Sequence, residues 1–195
     1  MDMLDFRIEE CREGQYRRAG EWKAFDCRQE TIKVKKADPI HLTVYENENG
    51  ILEGDATVPG HYITINWSAR SDCGAGEFNG ALNLPQAKSA KDAMALFKGF
   101  EAASFNWVVA DVDGNIGYQM SGRCFDRPSG VSGLLPTPGW DKAYDPKGFV
   151  SKERLPSLYN PADGVIVTAN EDLNHLGQAN VINLPMGTYR ADRIK

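Results

Sequence analysis

Few residues in this chain have types and spacing suited to chemistry. Asn170 closes the apolar run Gly-Val-Ile-Val-Thr over 164–168 and is followed by Glu171 and Asp172. A side-chain amide at a strand end can donate to a developing oxyanion, a use worth about 3 kcal/mol in known cases. The same amide can close an Asx-turn or cap a helix, and the pattern alone favours that ordinary use. His41, His61 and His175 lie far apart with no partner at ligand spacing, so they read as surface or edge-strand histidines. Cys11, Cys27, Cys73 and Cys124 form neither a C-x-x-C pair nor a zinc spacing. They read as scattered thiols, although an even count permits two disulfides. No G-x-S-x-G elbow occurs, and a triad hydrolase built on Ser121 or Cys124 is the weakest of the readings. Asp111-Val112-Asp113-Gly114-Asn115 opens like a calcium loop, but Ile116-Gly117-Tyr118 adds no oxygen ligand, and a hairpin turn explains it better.

The elements that must position these residues are mostly strands. Residues 2–9, Gln29–Lys35, Ile40–Tyr45 and His61–Trp67 alternate polar and apolar side chains, the pattern of half-buried strands. Turn residues punctuate them at Arg18-Ala19-Gly20, Ala37-Asp38-Pro39, Asn49-Gly50 and Pro59-Gly60. Ser89–Phe100 is the clearest helix, with Ser89 as N-cap and Ala93, Leu96, Phe97 and Phe100 on one face. Phe105–Asp111 and Ile116–Met120 form a hairpin. Arg127–Tyr159, rich in Pro and Gly, is an ordered loop belt whose Leu134, Leu135, Trp140, Tyr144 and Phe149 must pack. Gly164–Thr168 reads as a buried strand. The expected organisation is one domain over 1–195. It comprises a strand-rich part (1–88), a helix and hairpin (89–126), the loop belt (127–163) and a segment carrying Asn170 (164–195).

A hydrophobic share of 42% with 25% charged residues excludes disordered and fibrous classes. The net charge of -5 argues against nucleic acid as a partner. The short basic clusters Arg17-Arg18 and Lys33–Lys36 read as solvated faces. No apolar run approaches the roughly 18–20 residues that span a bilayer, so no membrane partner is expected.

The stretch Asn106-Trp107-Val108-Val109-Ala110-Asp111-Val112-Asp113-Gly114-Asn115-Ile116-Gly117-Tyr118 resembles the penicillin acylase (penicillin amidase) family. The resemblance continues through Ser121-Gly122-Arg123, Leu135-Pro136-Thr137-Pro138-Gly139, Tyr159-Asn160-Pro161 and Ala169-Asn170 to Arg190-Ala191-Asp192-Arg193. Gly20-Glu21-Trp22, Arg28–Lys35 and Asn49–Leu52 carry it more loosely upstream. Each motif is modest alone, but their order and spacing together are specific.

The resemblance implies an α+β fold, part of the N-terminal-nucleophile hydrolase αββα sandwich, strand-rich with antiparallel sheets and few helices. It implies an amidohydrolase acting on an N-acylated small molecule, such as a β-lactam, through an N-terminal serine exposed by autoproteolysis. No such serine stands at the start of this chain, which reads as an internal piece of the large subunit, inactive alone. Its partners would be the remaining segments of the precursor, and truncated sheets would favour self-association. Asn170 then becomes the oxyanion donor and Arg193 an organiser of the active-site polar network. Phe105 and Leu84 would line the acyl pocket. Asp2, the backbone of Leu4 and Asp5 match part of a structural calcium site. Catalysis needs no cofactor, and a periplasmic or secreted location is implied. Two departures stand out: Glu171 replaces an asparagine, and Asn49 replaces a histidine before Gly50. A non-catalytic scaffold derived from the same fold is the alternative.

Overall fold

The computed structural model describes residues 2–70 and 72–194. The strands in chain order are β1 (Leu4–Arg12), β2 (Gln15–Arg18), β3 (Glu21–Ala24), β4 (Asp26–Ile32), β5 (Ile40–Asn47), β6 (Gly50–Glu53), β7 (Gly60–Trp67), β8 (Asn106–Ala110), β9 (Ile116–Met120), β10 (Thr137–Pro138) and β11 (Ser157–Tyr159). The helices are α1 (Gly74–Asn83), α2 (Ala90–Phe97) and α3 (Tyr189–Ile194). No helix among the described residues is long and apolar enough to cross a membrane.

The chain forms two compact units. One comprises Leu4–Trp67 with Pro128–Asp145. Seven strands of its 8-stranded sheet run in the order β3-β2-β1-β7-β6-β5-β4, with every pairing on that path antiparallel, and β10 is the eighth. β2 pairs with β1 only at Cys11 and Arg12, which leaves Arg7 and Ile8 free to take β10 in parallel. The β2–β3 connection is Ala19-Gly20, both at positive φ, as a tight hairpin requires. Tyr16, Phe25 and Tyr45 pack centrally, with Tyr16 and Phe25 ring centroids 4.7 Å apart.

Three expectations change in this unit. The strand expected at Gln29–Lys35 is β4, Asp26–Ile32, and it is exposed throughout rather than half-buried. It pairs only with β5 at the end of the sheet, so its alternation has no core to face. The Asn49-Gly50 turn shifts back by one residue: Asn47 pairs with Gly50, so Glu48 and Asn49 make the connection. Arg18 is not a solvated charge but is 5% exposed, bonded to Glu48, Asp145 and the Gly139 carbonyl.

The other unit holds residues 1–3, Ser68–Arg127 and Pro146–Lys195. Its 3-stranded sheet runs β11-β9-β8, and β8–β9 is the expected hairpin. Asp111 organises the turn by accepting from the amides of Asp113 and Asn115. Ser89 caps α2 by accepting from Asp92 N, also as expected. The helix ends at Phe97, however, and Phe100 lies beyond it, edge-on to both Phe97 and Trp107. Phe97 and Trp107 stack at 4.3 Å, fixing α2 against the hairpin. Helix α1 carries no side-chain N-cap bond and exposes Phe78 and Leu82, so its sequence lacks both a cap signal and the buried apolar stripe of a core helix.

The loop belt is largely irregular, as expected, apart from β10, β11 and two 3-10 turns at Lys142–Tyr144 and Lys152–Arg154. Its apolar side chains do not all pack: Leu134, Leu135 and Phe149 remain exposed. In the first unit the belt is held by polar bonds instead. Arg7 donates to Thr137 Oγ1 and the Tyr144 carbonyl, each at 2.7 Å, and Arg18 to the Gly139 carbonyl at 2.7 Å. The buried strand expected over 164–168 does not form. Val165 is 49% exposed, and among the described residues no strand pairs with this run. An apolar sequence cannot become a strand without a ladder partner.

Candidate functional site

Asn170 sits after the unpaired run, at φ +69°, in the left-handed region that asparagine tolerates better than most residues. Its main-chain carbonyl accepts from Met186 N at 2.6 Å. Its side-chain Oδ1 accepts from Arg190 Nη2 at 2.9 Å, and the same nitrogen donates to the Ala169 carbonyl at 2.6 Å. The side-chain Nδ2 donates to no group among the described residues. Asn170 therefore has its acceptors engaged and its amide donor free.

Asn170 lines a cavity of about 440 Å³. Phe105, Ile182 and Leu184 contribute apolar surface to it, and Glu171 and Asp2 contribute carboxylates. Glu171 is buried and accepts from Ala169 N at 2.6 Å, so its charge beside the amide is met in part by a backbone donor. Asp2 accepts from Ser104 Oγ at 2.9 Å and from Asn183 N at 3.1 Å. Tyr118, nearly fully buried, donates to Asn106 Oδ1 at 2.7 Å. Burial pushes its hydroxyl pKa up, and Glu171 and Asp2 act in the same direction. The cavity is thus acidic on balance, with oriented amides and an apolar part. It could hold a neutral acyl group and donate to a carbonyl oxygen.

The structure brings Asn170 and Phe105 to one cavity, and Asp2 with them. Leu84 lies elsewhere in the same unit, packed on the Phe97–Phe100 cluster and bordering a different hollow with Val109 and Asp111. Arg193 is exposed on α3, and no hydrogen bond or ion pair from it occurs among the described residues. Arg190, one helical turn before it, is the arginine that reaches Asn170. It carried no signal of its own, since two arginines three apart on a short helix cannot be ranked by spacing. Asp2 belongs to one compact unit, and Leu4 and Asp5 to the other. Among the described residues no three His, Cys, Asp or Glu side chains form a group able to hold a metal. Cys11, Cys73 and Cys124 are buried free thiols, and Cys27 is an exposed one.

The sequence model of the family described as penicillin amidase matches residues 1–195. The chain belongs to the penicillin amidase family. Among curated relatives, the acyl-homoserine lactone acylase QuiP of Pseudomonas syringae pv. tomato is 34% identical over 181 residues, 92% of this chain and 22% of its own length. Penicillin G acylase of Escherichia coli is 34% identical over 174 residues, 87% of this chain and 20% of its own length. The chain thus spans about a fifth of the length of these relatives. Among solved structures, the thermostable penicillin G acylase from Alcaligenes faecalis superposes with a TM-score of 0.78 at 23% identity, covering 89% of this chain and 31% of that one. That likeness carries the fold: strand-rich, largely antiparallel and poor in helices. This penicillin amidase segment was identifiable from motif order, whereas the Asn170–Arg190 contact was not.

Proposed function

We propose that the protein carrying this chain is an acylase that hydrolyses the amide between an acyl group and an amine. The observation that carries the reading is the free Nδ2 of Asn170 in a cavity that also has an apolar lining. In this reading the nucleophile is an N-terminal serine supplied from outside these 195 residues, with its own α-amino group as base. Serine attack forms the C–O bond and drives the carbonyl electrons onto oxygen, where Asn170 Nδ2 donates. Collapse expels the amine, protonated by the base, and water then releases the acid from the acyl-enzyme. Phe105, which lines the Asn170 cavity, fits an acyl-binding role; the resemblance also assigns Leu84 to the acyl pocket and Arg193 to the polar network, although in this chain Leu84 borders a different hollow and Arg190 is the arginine bonded to Asn170.

The named relatives are an acyl-homoserine lactone acylase and a penicillin G acylase, which differ in amine and acyl group but share the bond class. An N-acyl metabolite is accordingly the substrate class, in a periplasmic or secreted setting. A structural calcium belongs to the longer protein, with Asp2, the Leu4 carbonyl and Asp5 as this chain's share of its oxygen ligands. The chain alone is inactive. Replacing Asn170 by Ala in the full-length protein lowers kcat for an N-acyl p-nitroanilide roughly 10²–10³-fold with little change in KM. An unchanged kcat rejects the role of Asn170, and acylase activity in the purified 195-residue chain rejects the division of the site.

Glu171 motivates a second reading, a scaffold that kept the fold and lost the chemistry, because a buried carboxylate beside an oxyanion opposes it. A full-length protein with no activity toward any acyl amide, and no serine at its processed terminus, establishes that reading.

A further inference from the structure

We infer that Glu171 is a specificity-determining residue: its buried carboxylate makes the Asn170 cavity select acyl amides whose amine portion carries no carboxylate of its own. This deepens the reading of Asn170 given above and rests on it. In that reading Asn170 Nδ2 marks the place of the scissile carbonyl, so the amine portion of the substrate lies a few ångströms away. Glu171 is the next residue in the chain, is only 7% exposed and lines the same cavity.

Nothing in the wall of that cavity offsets the charge. Its other ionisable side chain is Asp2, a second carboxylate, and among the described residues no Lys, Arg or His lines it. Glu171 also borders a second hollow of about 260 Å³, which adds Asp163, Asp172, Asp192 and His175, again without Lys or Arg. Glu171 accepts from Ala169 N at 2.6 Å, and among the described residues it takes part in no ion pair. Arg190 bonds Asn170 Oδ1 and the Ala169 carbonyl, but it is exposed and stands outside the wall, where water screens it. A buried charge is screened much less, so Glu171 sets the sign of the field inside the cavity. The buried hydroxyl of Tyr118 registers that sign: desolvation raises its pKa most, and Glu171 and then Asp2 add to the rise.

The same field opposes the oxyanion of every substrate alike, so it drops out of a comparison between substrates. What remains is the charge of the amine portion. Two like charges a few ångströms apart, at the effective dielectric of a partly buried site, change a binding or rate ratio by roughly tenfold or more. A carboxylate beside the scissile nitrogen, as in an N-acyl amino acid, is therefore rejected by a built-in repulsion. The corresponding primary amide is neutral and an aminoalkyl group is cationic, and both are accepted.

The test uses the full-length protein and substrates that share one acyl group: the N-acylglycine, the N-acylglycinamide and the mono-N-acyl ethylenediamine. Release of the common acid is the readout. The expected kcat/KM for the N-acylglycine is about 10–30-fold below that for the glycinamide, with the ethylenediamine derivative at least equal to the glycinamide. E171Q keeps a side-chain oxygen for Ala169 N and removes the charge, so the gap closes to under about threefold. D172N neutralises an exposed neighbour and leaves the gap in place. Equal kcat/KM for the three substrates in the parent protein overturns the inference without any variant, and this ranking decides if E171Q does not fold. An E171Q protein that is active on the N-acyl p-nitroanilide and keeps the full gap also overturns it. Either result leaves the oxyanion role of Asn170 standing, since that role is decided by N170A on the p-nitroanilide. Failure of the full-length protein to hydrolyse any N-acyl compound overturns the acylase reading, and this inference with it.

Discussion

Asn49 donates its side-chain amide to the Glu9 carboxylate at 2.8 Å. The same Nδ2 lies 3.1 Å from the Gly139 carbonyl, so one asparagine ties β1 to the loop belt. Glu9 is completely buried, with Thr64 Oγ1 at 3.2 Å as its other partner on Oε1 and, among the described residues, no partner on Oε2. Asn49→Ala removes the shorter of these bonds from a buried carboxylate. We expect a loss of about 2–4 kcal/mol in urea unfolding. A loss under about 0.5 kcal/mol would mean that water replaces the amide without cost. The position is also where the resemblance places a histidine, so this clamp is a local substitution of one donor for another.

Gly139 permits the same clamp from the opposite direction. A Cβ there would stand 2.5 Å from Glu9 Oε2. Gly50 is more constrained still: its φ is +127°, and a Cβ would lie 2.2 Å from the Ile65 carbonyl of β7. Gly50→Ala should cost more than about 2 kcal/mol, since it combines backbone strain with a clash against a fixed strand. Thermal unfolding within about 1 °C of the parent chain would contradict this, on the scaling of Tm with stability.

The thiols give a pH signature. Burial, with Glu9 and Glu10 adding to it, pushes Cys11 up to about 12, and burial pushes Cys124 up to about 12. An unfolded thiol ionises near about 8.5. The folded pKa is raised, so the contribution to stability is intact below the unfolded pKa and is lost as pH rises toward the folded one. The melting temperature should therefore fall between about pH 9 and 12, and less steeply in C11A/C124A. A disulfide reagent at neutral pH should meet one fast thiol, Cys27, because the other three are buried. Rapid modification of all four would refute the burial.

Helix α1 exposes Phe78 at 72% and Leu82 at 65%, four residues apart on one stripe. We expect the isolated chain to self-associate through surface of this kind. Sedimentation should show concentration-dependent association that F78S/L82S weakens severalfold. A monomer at high concentration in the unmodified chain would exclude it.

The sequence by itself determined the local and periodic features. Alternation placed β1, β5 and β7, because side chains in strands alternate faces wherever one face is buried. Turn chemistry placed the Asp111–Asn115 hairpin, and Ser89 marked the start of α2, because these choices are made within a few residues. Motif order named the family.

Tertiary structure decided everything that depends on a partner. The 164–168 run has strand composition and no strand, since a ladder needs a second chain segment. Arg18 looked solvated and is buried, because its acceptors at Gly139 and Asp145 lie 121 and 127 positions away. Arg190 and Arg193 are equivalent on paper and unequal in space: only Arg190, 20 positions beyond Asn170, reaches it. Hydrogen bonds act over about 3 Å, and sequence order carries no information on that scale once the chain has folded back.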